Sequence, residues 1–408
     1  MKHNVLLLGS DINVYYMARC HYERYEEPID VIGTEPMRFT QFSSIMNIEY
    51  HSDLRTDEGF VNALTAYGEA HKEDGKTLLI PCHDVYVRLV VDNFEKISEY
   101  FIYNGPSKEI VDSFLDKEKF YKTYAESGLP FAHTIYYDCS VKETEMLPAD
   151  IVFPLIIKPG DAISYGKHPF PGQPKVYKAN TPQKAIDFID KVKAAGYTGT
   201  LLVQEFIPGD DTHLFDCVMY VNSKGKAEFA TFAQIGLQEH NPTAIGNCTV
   251  LINGYNRFGK TEETVEKLKN FMEKIGYRGF AEFDLKYNEN TQEFMVMEIN
   301  PRQARSSYYV AALGRNLISV LQSDVFDGEE HPFELLDKEI LLSMVPKKVI
   351  KNYIADDEYK AKALSLWKAG KKVNPLSYKG DRSFKHHVYL AIRAVNYNRK
   401  YKNNKNTI

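Results

Sequence analysis

Cysteine is scarce in this chain of 408 residues: there are five, at Cys20, Cys82, Cys139, Cys217 and Cys248. An odd number of scattered thiols with no CxxC pair argues against a zinc ribbon or a disulfide framework and fits a reducing cytosol. Long apolar runs are missing too, and none approaches the roughly 20 residues of a spanning helix. Met1-Lys-His-Asn leads straight into a short apolar strand, with no signal-peptide core or small-residue cleavage site. The expectation is a cytoplasmic protein, at most peripheral to the inner face of a membrane. There is no GxGxxG, so a dinucleotide fingerprint is absent. No internal repeat or low-complexity segment occurs, apart from a Lys/Asn-rich tail after Arg399 that is expected to fray.

What is present is a globular composition, 44% hydrophobic and 26% charged. The length exceeds one ordinary core, so two or three domains are expected. Net charge is −5 but unevenly spread: from His331 onward, 17 Lys and Arg stand against 7 Asp and Glu. A basic C-terminal segment of this kind suits an anionic partner, such as a phosphate-bearing substrate or a membrane surface. A solvated helical face is the other reading.

The stretch that organises the chain is Phe280-Ala-Glu-Phe-Asp284-Leu-Lys286-Tyr287, followed by Phe294-Met-Val-Met-Glu298-Ile-Asn300-Pro-Arg302. Both runs alternate apolar and polar residues, and the turn formers of Asn288-Glu-Asn-Thr-Gln292 between them predict a hairpin. Glu298 and Asn300, two apart, share one face of their strand. With Asp284 they form a set of hard oxygen donors suited to Mg²⁺, which shares its remaining sites with water and phosphates. Arg302, two further on, would meet a phosphate or a developing oxyanion, and Lys286 is grouped with it as a catalytic candidate. Arg302-Gln-Ala-Arg305-Ser306-Ser307 then adds a second guanidinium and two hydroxyls. These either hold a substrate carboxylate or cap the helix that begins there.

At the other end, Asn4-Val-Leu-Leu-Leu-Gly9 and a helix through Tyr25 open a doubly wound α/β domain, with further strands at Asp30–Gly33 and Thr77–Ile80. Ligands collect at the C-terminal ends of such strands, so Asp11, Asn13, His83 and Asp84 are candidates for lining a substrate crevice; as single residues they also suit helix caps. A strand over 151–157 ends at Lys158, placed either to meet a phosphate as a point charge or to mark the solvent edge. The stretch 160–174, with Lys167, reads as a lid over phosphates. The strand Leu201-Leu-Val-Gln204-Glu205-Phe206-Ile207 could offer its backbone to an adenine edge, and Asp211 beyond it could accept from ribose hydroxyls. Alternating strands follow over 215–221 and 228–235, then a loop over 241–247. A basic amphipathic helix is predicted over 383–401.

The order Lys117, Lys158, Gln204-Glu-Phe-Ile, Asp211, Asp284, Glu298-x-Asn300-x-Arg302 resembles the ATP-grasp carboxylate–amine ligases. Within them, Leu7-Leu-Gly9-Ser-Asp11-x-Asn13, Phe206-Ile-Pro-Gly-Asp-Asp211 and Glu298-Ile-Asn-x-Arg302-Gln-x-Arg305-Ser-Ser are similar to the D-aspartate ligases of Gram-positive cell-wall synthesis, and the likeness runs over nearly the whole chain. The resemblance implies an α/β and α+β architecture in three parts. These are a doubly wound pre-ATP-grasp domain over 1–113, an ATP-grasp domain over 114–330 divided at 200/201 into two subdomains clasping ATP, and a basic helical segment over 331–408. It implies ATP and Mg²⁺ as cofactors. Lys117 and Lys158 would lie on the phosphates, Gln204 to Ile207 on adenine and Asp211 on ribose. Mg²⁺ would fall to Asp284, Glu298 and Asn300, and the reaction centre to Arg302, Lys286 and Arg305. The implied partners are an amino-acid substrate, D-aspartate, and the lysine amine of a peptidoglycan precursor that carries phosphates; nucleic acid is not among them. The alternatives are an ATP-grasp ligase for another carboxylate and amine, or a nucleotide-binding protein without catalysis.

Overall fold

The computed structural model describes residues 4–141, 147–148, 150–240 and 246–403. Most of the loop predicted over 241–247 and the end of the Lys/Asn-rich tail lie outside them. The chain forms two compact units. One comprises the residues up to Val111, Asp210–Asp284 and those from Ile299 onward; the other comprises Asp112–Gly209 and Leu285–Glu298.

The first unit opens with a five-stranded parallel sheet built from β1 (Val5–Leu8), β2 (Ile29–Gly33), β3 (Met46–Tyr50), β4 (Thr77–Pro81) and β5 (Phe101–Ile102), in the order β3-β2-β1-β4-β5. β1 is buried at every position, as an inner parallel strand should be. Helix α1 (Ile12–Tyr25) covers one face, packing with Val5, Leu7 and Ile80. Helices α2 (Asp57–Ala70) and α3 (Asp84–Ile97) cover the other, packing with Leu6, Leu8 and Leu79. The chain leaves β1 towards β2 on one side and returns to β4 on the other, so the topological switch point lies between β1 and β4, where ligands of open α/β sheets bind. Gly9, at φ +129°, makes the turn out of β1; a Cβ there would press on Val14 Cγ2 at 3.0 Å.

α4 (Lys108–Leu115) carries the chain from the first unit into the second, where α5 (Lys117–Tyr124) leads to a four-stranded antiparallel sheet of β6 (Thr134–Asp138), β7 (Leu155–Pro159), β8 (Tyr177–Ala179) and β9 (Thr200–Glu205), ordered β6-β9-β7-β8. The short helix α6 (Ala162–Gly166) follows β7 within the stretch read as a lid, and α7 (Pro182–Ala194) packs Phe188, Ile189 and Val192 into this unit's core. β7 begins after Pro154, later than predicted, because proline cannot donate to the ladder. The strand runs on to Pro159, so Lys158 is its penultimate residue, paired with Leu202, rather than lying just beyond its end.

The rest of the chain supplies a nine-stranded sheet. β10 (Leu214–Val221) pairs with both β11 (Ala227–Thr231) and β12 (Ala233–Gln238), in the space predicted for a single strand over 228–235. The division comes where the Thr231 side chain takes over the ladder, its hydroxyl oxygen accepting from Val218 N at 2.9 Å. β13 (Cys248–Asn253), α8 (Thr261–Lys274), β14 (Gly279–Asn288) and β15 (Glu293–Asn300) follow, then the short α9 (Tyr308–Ala312) and α10 (Leu317–Gln322). β14 and β15 are the predicted hairpin, and the chain passes between the two units within them, after Asp284 and after Glu298. β16 (Glu334–Leu336), β17 (Ile340–Ser343), α11 (Lys347–Tyr353), α12 (Asp357–Lys368), β18 (Lys372–Val373) and α13 (Phe384–Asn403) complete the chain. Among the described residues, no helix is long and apolar enough to cross a membrane.

Candidate functional site

In the first unit the candidate residues gather at the switch point. Asp11 caps α1, accepting from Asn13 N at 3.0 Å and Val14 N at 3.4 Å, and His83 caps α3 through Val85 N. Burial raises the Asp11 carboxyl above its usual range, against the opposing pull of His83 and Arg302. Asn13 is buried, and its amide donates to Cys82 O at 3.0 Å and Gln303 O at 3.3 Å, tying β4 to the segment after β15.

Arg302 is gripped by Asp84 through a two-pronged pair, Nε to Oδ1 at 2.7 Å and Nη2 to Oδ2 at 3.1 Å. Burial disfavours its charge, but the Asp84 carboxylate overcomes this and holds the guanidinium above its ordinary value. The two residues, read from the sequence as separate candidates, are thus one assembly: a fixed cation whose plane is set by the first residue of α3. Arg302 Nη2 also lies 3.4 Å from Asn300 Oδ1.

The Asn300 amide donates to Glu282 Oε2 at 2.5 Å and to Asp284 Oδ2 at 3.4 Å. Burial and the neighbouring Asp284 and Asp216 carboxylates push Glu282 well above the usual carboxylate range. Two carboxylates competing for one amide donor form an environment that a cation would relieve, so the donor chemistry fits Mg²⁺. Glu282 was not singled out in the sequence, although its place two residues before Asp284 in an alternating strand puts both on one face. Among the described residues no three His, Cys, Asp or Glu side chains already converge as a metal-binding group; the proposed set has two carboxylates and an amide.

Ser306 and Ser307 are both buried. Ser306 donates to Asp216 Oδ2 at 2.5 Å, and Tyr309 donates to Asp216 Oδ1 at 2.6 Å. Burial raises the Asp216 carboxyl to about 6, against the pull of these two hydroxyls. Ser307 accepts from Ala304 N at 2.8 Å. The serines therefore brace the turn that presents Arg305, whose buried Nε has no hydrogen-bond partner among the described residues. A buried guanidinium donor left unpaired is costly and is satisfied by an incoming anion or water. Asp211 accepts from Gln238 N and from Gln238 Nε2, both at 2.8 Å.

In the second unit the theme is cationic. Lys117, at the start of α5, lies 2.9 Å from Glu298 Oε2. Lys158 is half-buried, with its Nζ 5.1 Å from the centre of the Tyr121 ring. Burial first, and repulsion from Lys117 second, lower its ammonium to about 7, with Glu298 opposing. A lysine that is readily neutralised when alone is ready to take up charge when a phosphate arrives. Gln204 Nε2 donates to Thr134 Oγ1 at 2.7 Å, and Glu205 Oε1 accepts from Val152 N at 3.3 Å. Phe206 N donates to Pro154 O at 3.0 Å, and Ile207 follows it half-exposed. The Phe206 ring carries Lys178 Nζ at 3.6 Å and Lys286 Nζ at 5.1 Å from its centre, and Lys286 also donates to Gly209 O at 3.0 Å. Lys178, on the edge strand β8, had no sequence signal that set it apart.

No family model matches the chain. It is 30% identical over 406 residues to the D-aspartate ligase of Enterococcus faecium (strain Aus0004), covering 97% of this chain and 95% of that one. Among solved structures, the L-amino acid ligase from Bacillus licheniformis superposes with a TM-score of 0.58 at 12% identity, over 81% of this chain and 78% of the other. The biotin carboxylase domain of Hydrogenobacter thermophilus 2-oxoglutarate carboxylase, solved with MgADP, gives 0.57 at 13% identity, over 83% and 72%. These two show the shared fold. The full-length relative shows more: the chain belongs to the D-aspartate ligase family, ATP-dependent carboxylate–amine ligases of α/β and α+β ATP-grasp architecture.

Proposed function

We propose that this ligase uses Mg·ATP to join the β-carboxylate of D-aspartate to the lysine side-chain amine of a peptidoglycan precursor, releasing ADP and phosphate. The observation that carries this reading is the likeness to a D-aspartate ligase along 97% of the chain. In the proposed sequence the donor carboxylate attacks the γ-phosphorus of ATP, and the amine then displaces phosphate from the acyl phosphate. Lys117 and Lys158 bind the ATP phosphates, Gln204 to Ile207 take adenine and Asp211 takes ribose. Asp284, Glu298 and Asn300 hold Mg²⁺, which supplies charge neutralisation for the transferred phosphoryl group. Arg302, oriented by Asp84, meets the oxyanion of the tetrahedral adduct. Lys286 stays with the reacting groups, and Arg305 binds the donor's remaining carboxylate bidentately. Asp11, Asn13, His83, Ser306 and Ser307 shape the substrate crevice. The linear division at 113/114, 200/201 and 330/331 belongs to the same proposal.

ADP release tests it. With Mg·ATP and a panel of D- and L-amino acids, turnover is expected only when D-aspartate and a lysine-containing precursor are present together. Turnover with another pair would keep the ligase chemistry and discard D-aspartate. Silence even with the full phosphorylated precursor would favour nucleotide binding without catalysis.

A further inference from the structure

The last helix has two faces. Its inner face anchors it: His386 stacks on Tyr15 at 4.6 Å, Tyr397 donates to Glu239 at 2.8 Å, and Tyr401 donates to Gln238 O at 2.6 Å. Its outer face is apolar and uncovered. Phe384, Val388, Ile392 and Val395 are 80, 40, 56 and 71% exposed. They are four of the nine large hydrophobic side chains exposed among the described residues. Their spacing of four, four and three residues lines them along one stripe. Arg399 and Lys402 continue the stripe at the same spacing.

α13 contains five Lys and Arg and no Asp or Glu. The nearest carboxylate in sequence, Asp381, is turned inward and fully buried, accepting from Ser43, Ser44 and Tyr15. Beside the helix runs a cleft of about 670 Å³ whose walls include Arg38 and Phe42 on one side and Phe384, Val388, Ile392 and Arg393 on the other; among the described residues no carboxylate lines it. An apolar stripe bordered by polar residues whose charges are all cationic, on an anchored helix, is the pattern of a helix that lies in a lipid interface.

We propose that the outer face of α13, with the loop bearing Arg38 and Phe42, docks the protein onto an anionic lipid surface. The apolar stripe enters the headgroup boundary while Lys385, Arg399 and Lys402 meet lipid phosphates. A second copy of the chain is the poorer occupant, because a twofold contact through this face would set two cationic helices against each other. The uneven charge acts the same way: the residues before His331 are net acidic, so an anionic surface repels them and attracts the basic end. This docking is independent of which carboxylate and amine the ligase joins.

The test is co-sedimentation of the full chain with phosphatidylglycerol/phosphatidylcholine vesicles and with phosphatidylcholine alone. Binding to the anionic vesicles is expected to exceed binding to the neutral ones at least tenfold. It should fall as salt rises from about 0.1 M, where the Debye length is ~10 Å, to about 1 M, where it is ~3 Å. Ile392→Asp or Val395→Asp should weaken binding at least tenfold, and Lys402→Glu about fivefold or more, with melting temperature and ADP release in solution unchanged. Equal binding to both vesicle types, or binding that the stripe variants leave intact, would overturn the proposal. So would a dimer seen by sedimentation that Ile392→Asp abolishes, which would assign the face to a second copy.

Discussion

The two units hold their charged groups differently. In the first, charged groups are buried or half-buried and tied into hydrogen-bonded networks: Arg302 to Asp84, Asp216 to Ser306 and Tyr309, Glu282 to Asn300. In the second, Lys117 is paired with Glu298, but Lys158, Lys178 and Lys286 lie against aromatic rings, where the attraction is weaker and less directional than a hydrogen-bonded ion pair, and Lys286 also donates to Gly209 O. The difference suggests a division of labour. A group that must hold one orientation while charge develops is built into a fixed network, whereas cations that must receive and release a polyanion are held by weaker contacts that a polyanion can displace.

The strongest way to break this comparison is Glu298→Gln. A neutral amide of equal volume weakens one proposed metal ligand and the partner of Lys117. Turnover should fall by about a thousandfold, in the range of losing a dominant electrostatic contact, while the melting temperature stays within about 2 °C. Full activity in steady-state ADP release would remove Glu298 from the metal site.

Asp84→Asn is the next largest effect and tests the fixed network. Losing one partner of this half-buried pair leaves the Arg302 charge without its carboxylate, so unfolding in urea should show a loss of about 1 kcal/mol, less than for a fully buried pair because solvent screens Asp84. If Arg302 depends on Asp84 for its plane, kcat should drop about tenfold to a hundredfold with little change in KM for ATP. A stability loss with kcat intact would leave Asp84 a purely structural partner.

The smallest effect concerns the available cations and is a pH dependence. Lys158 is held at about 7 by burial and Lys117, and an ATP phosphate favours its charged form. Affinity for Mg·ATP should therefore be greatest below pH 7 and decline above it, approaching tenfold per unit as the free enzyme loses the proton that binding must restore. The sign for folding is the reverse. The unfolded chain holds that proton up to about 10, so the cost of burying Lys158 charged is present in full below pH 7 and fades between pH 7 and 10. Calorimetry in buffers of different ionisation enthalpy would show proton uptake on binding above pH 7, and Lys158→Arg should flatten the profile. A flat wild-type profile would mean that Lys158 does not contact the phosphates.

Legibility in the sequence followed the strength of the local pattern. The hairpin of β14 and β15 was readable to within a residue or two because strict alternation and a turn-forming linker both mark it. The strands β16 to β18 were not, because two to four residues carry no period. The helix predicted over 383–401 runs over Phe384–Asn403, and its basic character was plain. That its apolar residues divide between an anchored inner face and an uncovered outer one was not.

The sequence alone therefore determined the chemical inventory and its order: the lysines, the acidic hairpin, the arginine after it and the basic end. Side-chain type and short-range periodicity are local properties, and they survive without a fold. Only the tertiary structure decided partnership. Residues 84 and 302, or 216 and 306, meet because elements and turns far apart in sequence pack together, and the field each group feels depends on how deeply it is buried and on which charges share its surroundings. The pairing of Arg302 with Asp84, the crowded carboxyl of Glu282 and the lowered ammonium of Lys158 all arise from that burial, which no stretch of sequence carries by itself.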